Sequence, residues 1–198
     1  MRIAWMLRRT GVVLMALLSL SAGVASAATT SDTISDDGAG VHVTNVAGCI
    51  SADAMVKVSN NVRKSTGLAL TEFQIVITST DICSGQNLGT TAGSGFSNFL
   101  LTADLNGASL NGTFAAFNPR GEVQYLTVSM SWTGFGVLTR THSMTRTVTG
   151  NTTTTVRTKD VSRAATSTGI ISGTGILVSM ASNHATLFRN ATITKTQT

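Results

Sequence analysis

Over most of the chain, apolar and polar residues alternate with a period of two, and this pattern limits the fold more than any other feature. The segment "LALTEFQIVITST" (Leu68 to Thr80) places Phe73, Ile75 and Ile77 on one side and polar residues on the other. Successive side chains of a β-strand point to opposite faces, so the pattern predicts half-buried strands. No long stretch has the 3.6-residue period of an amphipathic helix, and the chain contains one proline. The sequence therefore predicts β structure.

The spacing of these alternating segments predicts the fold class. The segment "EVQYLTVSMSW" is expected to bury Leu126, Val128, Met130 and Trp132, and Asn106–Gly107 is expected to form a two-residue hairpin turn. Counting such segments gives about eight or nine antiparallel strands joined by short turns. The predicted fold is all-β, either a single antiparallel β-sandwich or a small β-barrel.

The first 27 residues have the composition of a secretory signal peptide. Arg2, Arg8 and Arg9 precede the apolar stretch Gly11 to Leu20, and "ASA" (Ala25 to Ala27) is a cleavage site of small residues. The adjacent Arg8 and Arg9 leave a twin-arginine export signal as the rival, although the flanking residues fit it poorly. No later stretch has the roughly 18 consecutive apolar residues that a membrane span needs. We therefore expect an extracellular or periplasmic protein with no membrane span.

The remaining chain divides into two parts. Residues 28–40, "ATTSDTISDDGAG", are polar and acidic, and they are expected to form a flexible leader. Residues 41–198 are expected to form a single β domain. Cys49 and Cys83 are the two cysteines, and in an exported chain they are expected to form a disulfide. The chain-entropy model gives such a loop closure about 3–4 kcal/mol of stability.

The stretch "TRTHSMTRTVTGNTTTTVRTKDVSR", from Thr139 to Arg163, is almost free of apolar residues but still alternates. Gly150–Asn151 fits a two-residue hairpin turn with glycine at the first central position. Pairing Thr149 with Thr152 and continuing outward then divides the hairpin into two faces. One face carries mostly threonine and serine, and the other gathers the basic side chains Arg140, His142, Arg146, Arg157 and Lys159.

These five basic residues are the candidate binding site. Like charges that face each other across strands are destabilising, so an acidic surface, solvent or an anionic ligand must offset them. Charge is also divided unevenly along the chain. Beyond residue 27, only three of the 11 basic residues precede Arg120, and only two acidic residues, Glu122 and Asp160, follow it. One interpretation is a polar hairpin at a sheet edge, where the charges block aggregation.

The second interpretation is a surface that contacts an anionic polysaccharide or another cell-surface component, because arginine binds anions in a bidentate manner. The hairpin has no aromatic stacking groups, which disfavours nucleic acid as the partner. The third interpretation is a hydroxyl array on the opposite face that binds ice or sugar. It requires Thr141, Thr145 and Thr147 to be exposed.

Signals of catalysis are weak. The chain has no G-x-S-x-G nucleophile motif, no H-x-x-x-H pair and no phosphate-binding glycine loop, so we expect no cofactor and no metal. A secreted hydrolase with an unidentified carboxylate site is the alternative. Its acid and base would have to come from six carboxylates: Asp53, Glu72, Asp81, Asp104, Glu122 and Asp160. The sequence favours a non-enzymatic binding or structural protein.

One resemblance supports export. The order "ASLNGTFAAF", "YLTVSMSWTGFG" and then a basic polar hairpin resembles a loosely defined group of small exported bacterial proteins of unknown function. The resemblance covers roughly Ala69 to Thr174. It implies an exported all-β fold with a cysteine-containing hairpin before this unit, and it implies no activity and no site residues.

Overall fold

The computed structural model describes residues 28–198, which form one antiparallel sheet of eleven strands. The predicted signal peptide, residues 1–27, lies outside the described residues. The strands are β1 (Thr29–Ala47), β2 (Ile50–Arg63), β3 (Leu68–Asp81), β4 (Gln86–Phe96), β5 (Asn98–Leu101), β6 (Gly107–Phe117), β7 (Val123–Gly134), β8 (Thr139–Thr149), β9 (Thr152–Gly173), β10 (Ile176–Ser179) and β11 (Ser182–Gln197). Residues 28–198 contain no helix of the length and apolarity that a membrane crossing requires.

The hydrogen bonding of the sheet returns to its starting strand. It runs from β9 through β11, β1, β2, β3, β4 and β6 to β7, and β7 pairs again with β9. The sheet is therefore closed, which is the defining property of a barrel, and the circuit has eight strand positions. The other strands continue a neighbour after a break: β5 follows β4 along β6, β8 follows β7 along β9, and β10 precedes β11 along β9. These breaks explain why eleven strands are present where eight or nine were predicted.

Apolar side chains fill the inside of the closed sheet. Phe73, Ile75 and Ile77 of β3 are buried, as their alternation predicts. Leu126, Val128, Met130 and Trp132 of β7 are buried as well, which confirms the expected face of that strand. Phe73 stacks on Phe114 of β6 with ring centroids 4.1 Å apart. The two rings meet on the inner side of β4, the strand that lies between β3 and β6.

A loop plugs one end of this core. Asn106–Gly107 was predicted to be a two-residue turn, but β5 ends at Leu101 and residues 102–106 form a longer loop, which we call the plug loop. Leu105 adopts a left-handed backbone conformation with φ 54°, and its side chain is fully buried in the core. The Thr102 hydroxyl accepts hydrogen bonds from the backbone N–H groups of Asn106 and Gly107, each at 2.9 Å. The chain therefore forms a longer loop that buries Leu105, and the predicted two-residue turn is absent.

The disulfide lies at the other end. Cys49 in the β1–β2 turn is bonded to Cys83 in the β3–β4 turn, as predicted, and the two residues are 34 positions apart in sequence. The backbone N–H of Ile82 also donates to the carbonyl of Cys49 at 2.7 Å. Two successive hairpins are therefore joined at their tips.

Residues 29–40 correct the prediction of a flexible leader, because they form the first part of β1. One edge of this segment pairs with β11 from Gln197 to Thr186, and residues from Ile34 onward also pair with β2. Two ion pairs hold its acidic side chains: Arg63 with Asp32 at 2.7 Å and Arg189 with Asp37 at 2.8 Å. Pairing on both edges and these two arginines therefore order the segment despite its polar, acidic composition.

Candidate functional site

Beyond the plug loop, the sheet continues as a single layer that we call the arm. It consists of β8, residues 152–162 of β9, residues 188–197 of β11 and residues 29–37 of β1, hydrogen-bonded in that order. At about 3.3 Å per residue, the eight residues from Arg189 to Thr196 extend it by about 26 Å. Every residue of β8 is exposed. The arm has no second layer among residues 28–198, so each face is open to ligands.

The predicted hairpin of the arm is confirmed in its register. Thr149 pairs with Thr152, and the pairing continues outward to Thr139 with Ser162 without a shift. Gly150 has φ 57°, a positive value that glycine adopts without a steric cost and that the predicted turn requires at this position. The division into a basic and a hydroxyl face therefore holds along the whole hairpin.

The basic face is larger than the sequence predicted. Arg140, His142, Arg146, Arg157 and Lys159 lie on the face that continues the inside of the closed sheet. β11 adds Arg189 opposite Val161 and Lys195 opposite Thr155 on the same face, and Arg163 follows where the arm meets the core. We use the term basic face for these eight residues: Arg140, His142, Arg146, Arg157, Lys159, Arg163, Arg189 and Lys195. Arg189 and Lys195 lie beside the hairpin only because β11 pairs with β9 over a long distance in sequence.

Two members of the basic face hold the plug loop. Arg189 donates to the carbonyl of Ala103 at 2.8 Å, in addition to its ion pair with Asp37. Arg163 donates to the side-chain oxygen of Asn106 and lies 3.5 Å from the carbonyl of Asp104. These two arginines therefore stabilise the plug loop where the basic face meets the core.

The other six members have no ion pair and no side-chain hydrogen bond within residues 28–198: Arg140, His142, Arg146, Arg157, Lys159 and Lys195. The acidic first half of the chain does not neutralise them, because its one carboxylate on this face is Asp37, which binds Arg189. Asp160 lies on the hydroxyl face, where Thr141 donates to it at 3.3 Å. Exposed guanidinium and ammonium groups without a partner are suited to bind oxyanions such as carboxylate or sulfate.

The hydroxyl face also extends beyond the hairpin. Thr141, Thr145 and Thr147 are exposed, as the hydroxyl-array interpretation requires. On the same face, β9 contributes Thr152, Thr154 and Thr158, and β11 contributes Thr192, Thr194 and Thr196. We call this three-strand array the threonine face. Strand geometry spaces its side chains by about 6.7 Å along a strand and about 4.8 Å between strands.

The six carboxylates of the hydrolase alternative are dispersed, and five of them bind nearby donors. Asp53 accepts hydrogen bonds from His42 and Thr44, which lower its pKa, and backbone N–H groups of Cys83 and Ser84 bind Asp81. Asp104 binds Asn106, Glu122 binds Asn118, and Asp160 binds Thr141. Glu72 alone has no recorded hydrogen bond within the described residues.

One group of possible metal-ligating side chains occurs within residues 28–198, formed by Cys49, Asp81 and Cys83. The two sulfur atoms of this group are bonded to each other, so they are not available as thiolate ligands. This group is a structural feature of the disulfide end.

Comparison of the chain with protein-family models, with curated proteins and with solved structures finds no match. The resemblance to small exported bacterial proteins therefore stays a prediction.

Proposed function

We propose that this is an exported, non-enzymatic binding protein whose basic face contacts anionic polysaccharide or another acidic component of a cell surface. The observation that carries the proposal is the absence of internal partners, within residues 28–198, for the six outer cations of the basic face. Three adjacent strands present them on one open face, so a linear polyanion can contact several at once. Each charge-assisted hydrogen bond contributes about 1.5–3 kcal/mol before solvent screening.

Replacing Arg140, Arg146, Arg157 and Lys159 together with glutamine is expected to weaken binding to dextran sulfate by at least about thirtyfold, or about 2 kcal/mol. Uncharged dextran should bind neither protein, and higher ionic strength should weaken the wild-type interaction. Retention on the immobilised polymers, measured at two salt concentrations, tests both points. Because the four side chains are exposed and repel one another, stability should not fall.

A charge-matched pair of double variants controls for net charge. Arg140→Gln/Lys159→Gln removes one arginine and one lysine from the basic face, and Arg120→Gln/Lys64→Gln removes the same charges from exposed positions outside that face. We expect the double variant in the basic face to lose binding to dextran sulfate and the other double variant to retain it. Equal losses would mean that net charge alone attracts the polymer, and salt-insensitive, unchanged binding in the quadruple variant would exclude the proposal.

The threonine face supports a second candidate function, which is binding to an ordered hydroxyl surface, either ice or insoluble polysaccharide. The specific observation is that the array spans three strands and not only the predicted hairpin. Its side chains combine a hydroxyl with a methyl group at regular spacing, and they are exposed on β8 and partly exposed on β9 and β11.

Replacing Thr147 and Thr154, which are paired across β8 and β9, with tyrosine is expected to abolish any effect on ice growth or retention on insoluble cellulose. The bulky rings would interrupt the regular spacing of the array. Thr155→Tyr, on the opposite face, is the control and should behave like wild type. Ice-growth inhibition and cellulose pull-down separate the two ligands, and wild-type protein inactive in both assays would exclude this candidate.

A further inference from the structure

A groove of about 480 Å³ lies on the outer surface of β2, β3 and β4, on the opposite side of the sheet from the basic face. Two rows of paired residues line it. One row contains Lys57, Gln74 and Ser94, and the next contains Ser59, Glu72 and Phe96. Its volume is within the range of about 300–1,000 Å³ that small-molecule sites occupy.

Apart from the buried Ser59, which accepts a hydrogen bond from Asn61, the polar side chains of this groove have no partner within residues 28–198. Lys57, Glu72, Gln74 and Ser94 are exposed and have no recorded side-chain hydrogen bond or ion pair within residues 28–198. The Lys57 ammonium lies 6.0 Å from the centre of the Phe188 ring, so it remains beside the groove and does not reach Glu72. The groove therefore offers donors and acceptors side by side.

The charges and the aromatic ring indicate the type of ligand. Lys57 and Glu72 cancel, so the groove has no net charge and does not favour an anion over a cation. Phe96, at one end of the groove, is 74% exposed, so its ring does not pack in the core. A pyranose has both donors and acceptors around its edge and an apolar C–H face, which packs on an aromatic ring.

We propose that this groove binds one unit of a neutral saccharide. The Phe96 ring packs against the apolar face of the sugar, and the side chains of Gln74, Glu72 and Ser94 bind its hydroxyl groups. The site is separate from the basic face, so its failure would leave the proposed polyanion binding unaffected.

Titration with methyl glycosides of the common neutral hexoses and N-acetylhexosamines tests the proposal. We expect saturable NMR shifts at the backbone amides of Gln74 and Ser94, with an affinity that is insensitive to salt. Phe96→Ala should weaken it by about tenfold. Phe117→Ala is the matched control, because Phe117 is 59% exposed on the outer surface of β6 and outside the groove.

Three outcomes would overturn the proposal. The first is that no glycoside in the panel shifts these amides. The second is that Phe96→Ala and Phe117→Ala have the same effect on the titration. The third is that glycine or a dipeptide binds more tightly than every glycoside and is displaced by salt, which would show that Lys57 and Glu72 select a zwitterion.

Discussion

Replacing Cys49 and Cys83 with serine is expected to lower the free energy of unfolding by about 3–4 kcal/mol. The bond closes a loop between residues 34 positions apart and so removes conformations from the unfolded chain. Both cysteines are exposed, so the serine hydroxyls are solvated and the core is not altered. Urea unfolding of the oxidised wild type and of the double variant measures the difference.

Reduction of the wild type provides the control for this prediction. Wild type unfolded under reducing conditions should have the same stability as the double variant, because each lacks only the cross-link. Gln86→Ala, directly after the same turn, removes an exposed side chain that makes no hydrogen bond within residues 28–198, so it should change stability by less than about 0.5 kcal/mol. A double variant within about 1 kcal/mol of the oxidised wild type would mean that the backbone contacts between the two turns already hold the hairpins together.

Phe73→Ala is expected to cost about 3–5 kcal/mol. The side chain is 1% exposed and stacks on Phe114, so its removal leaves a cavity inside the closed sheet, against β4. A closed sheet collapses poorly into such a cavity, because every wall strand is hydrogen-bonded on both sides. Equilibrium urea unfolding is again the measurement.

Phe117→Ala serves as the matched control for this prediction, since it removes the same side chain from the outer surface. Its expected cost is within about 0.5 kcal/mol. Phe73→Leu should recover part of the loss, because it refills most of the cavity with an apolar group. Equal costs at positions 73 and 117 would contradict the separation of inside and outside described above.

The alternation of side chains and the turn sequence predicted the register of the β8–β9 hairpin and the buried face of β7. The strict alternation of β8 and β9 and the Gly150–Asn151 turn fix the register of that hairpin, and the structure confirms it. The same reasoning assigns the buried side of β7, because a period of two leaves only one choice of face. The five basic residues of the hairpin were therefore placed together correctly from sequence.

Long-range pairing could not be predicted in this way. Arg189 and Lys195 join the basic face only because β11 pairs with β9, and nothing near them in sequence indicates that neighbour. Residues 29–40 have the composition of a flexible segment, but partners on both edges and the pairs with Arg63 and Arg189 order them. The plug loop was not predicted, because its conformation depends on the burial of Leu105 in a core that other strands form.

Closure of the sheet has a consequence for the order in which the molecule forms. Most neighbouring strands follow each other along the chain, so hairpins such as β2–β3 and β6–β7 close over short loops. The widest separation in sequence is that between β1 and its second partner, β11. During synthesis β1 therefore keeps one unpaired edge until β11 has been made, and an unpaired edge is open to other chains. We therefore expect the pairing of β1 with β11 to form late in folding and to be the contact most exposed to misassembly.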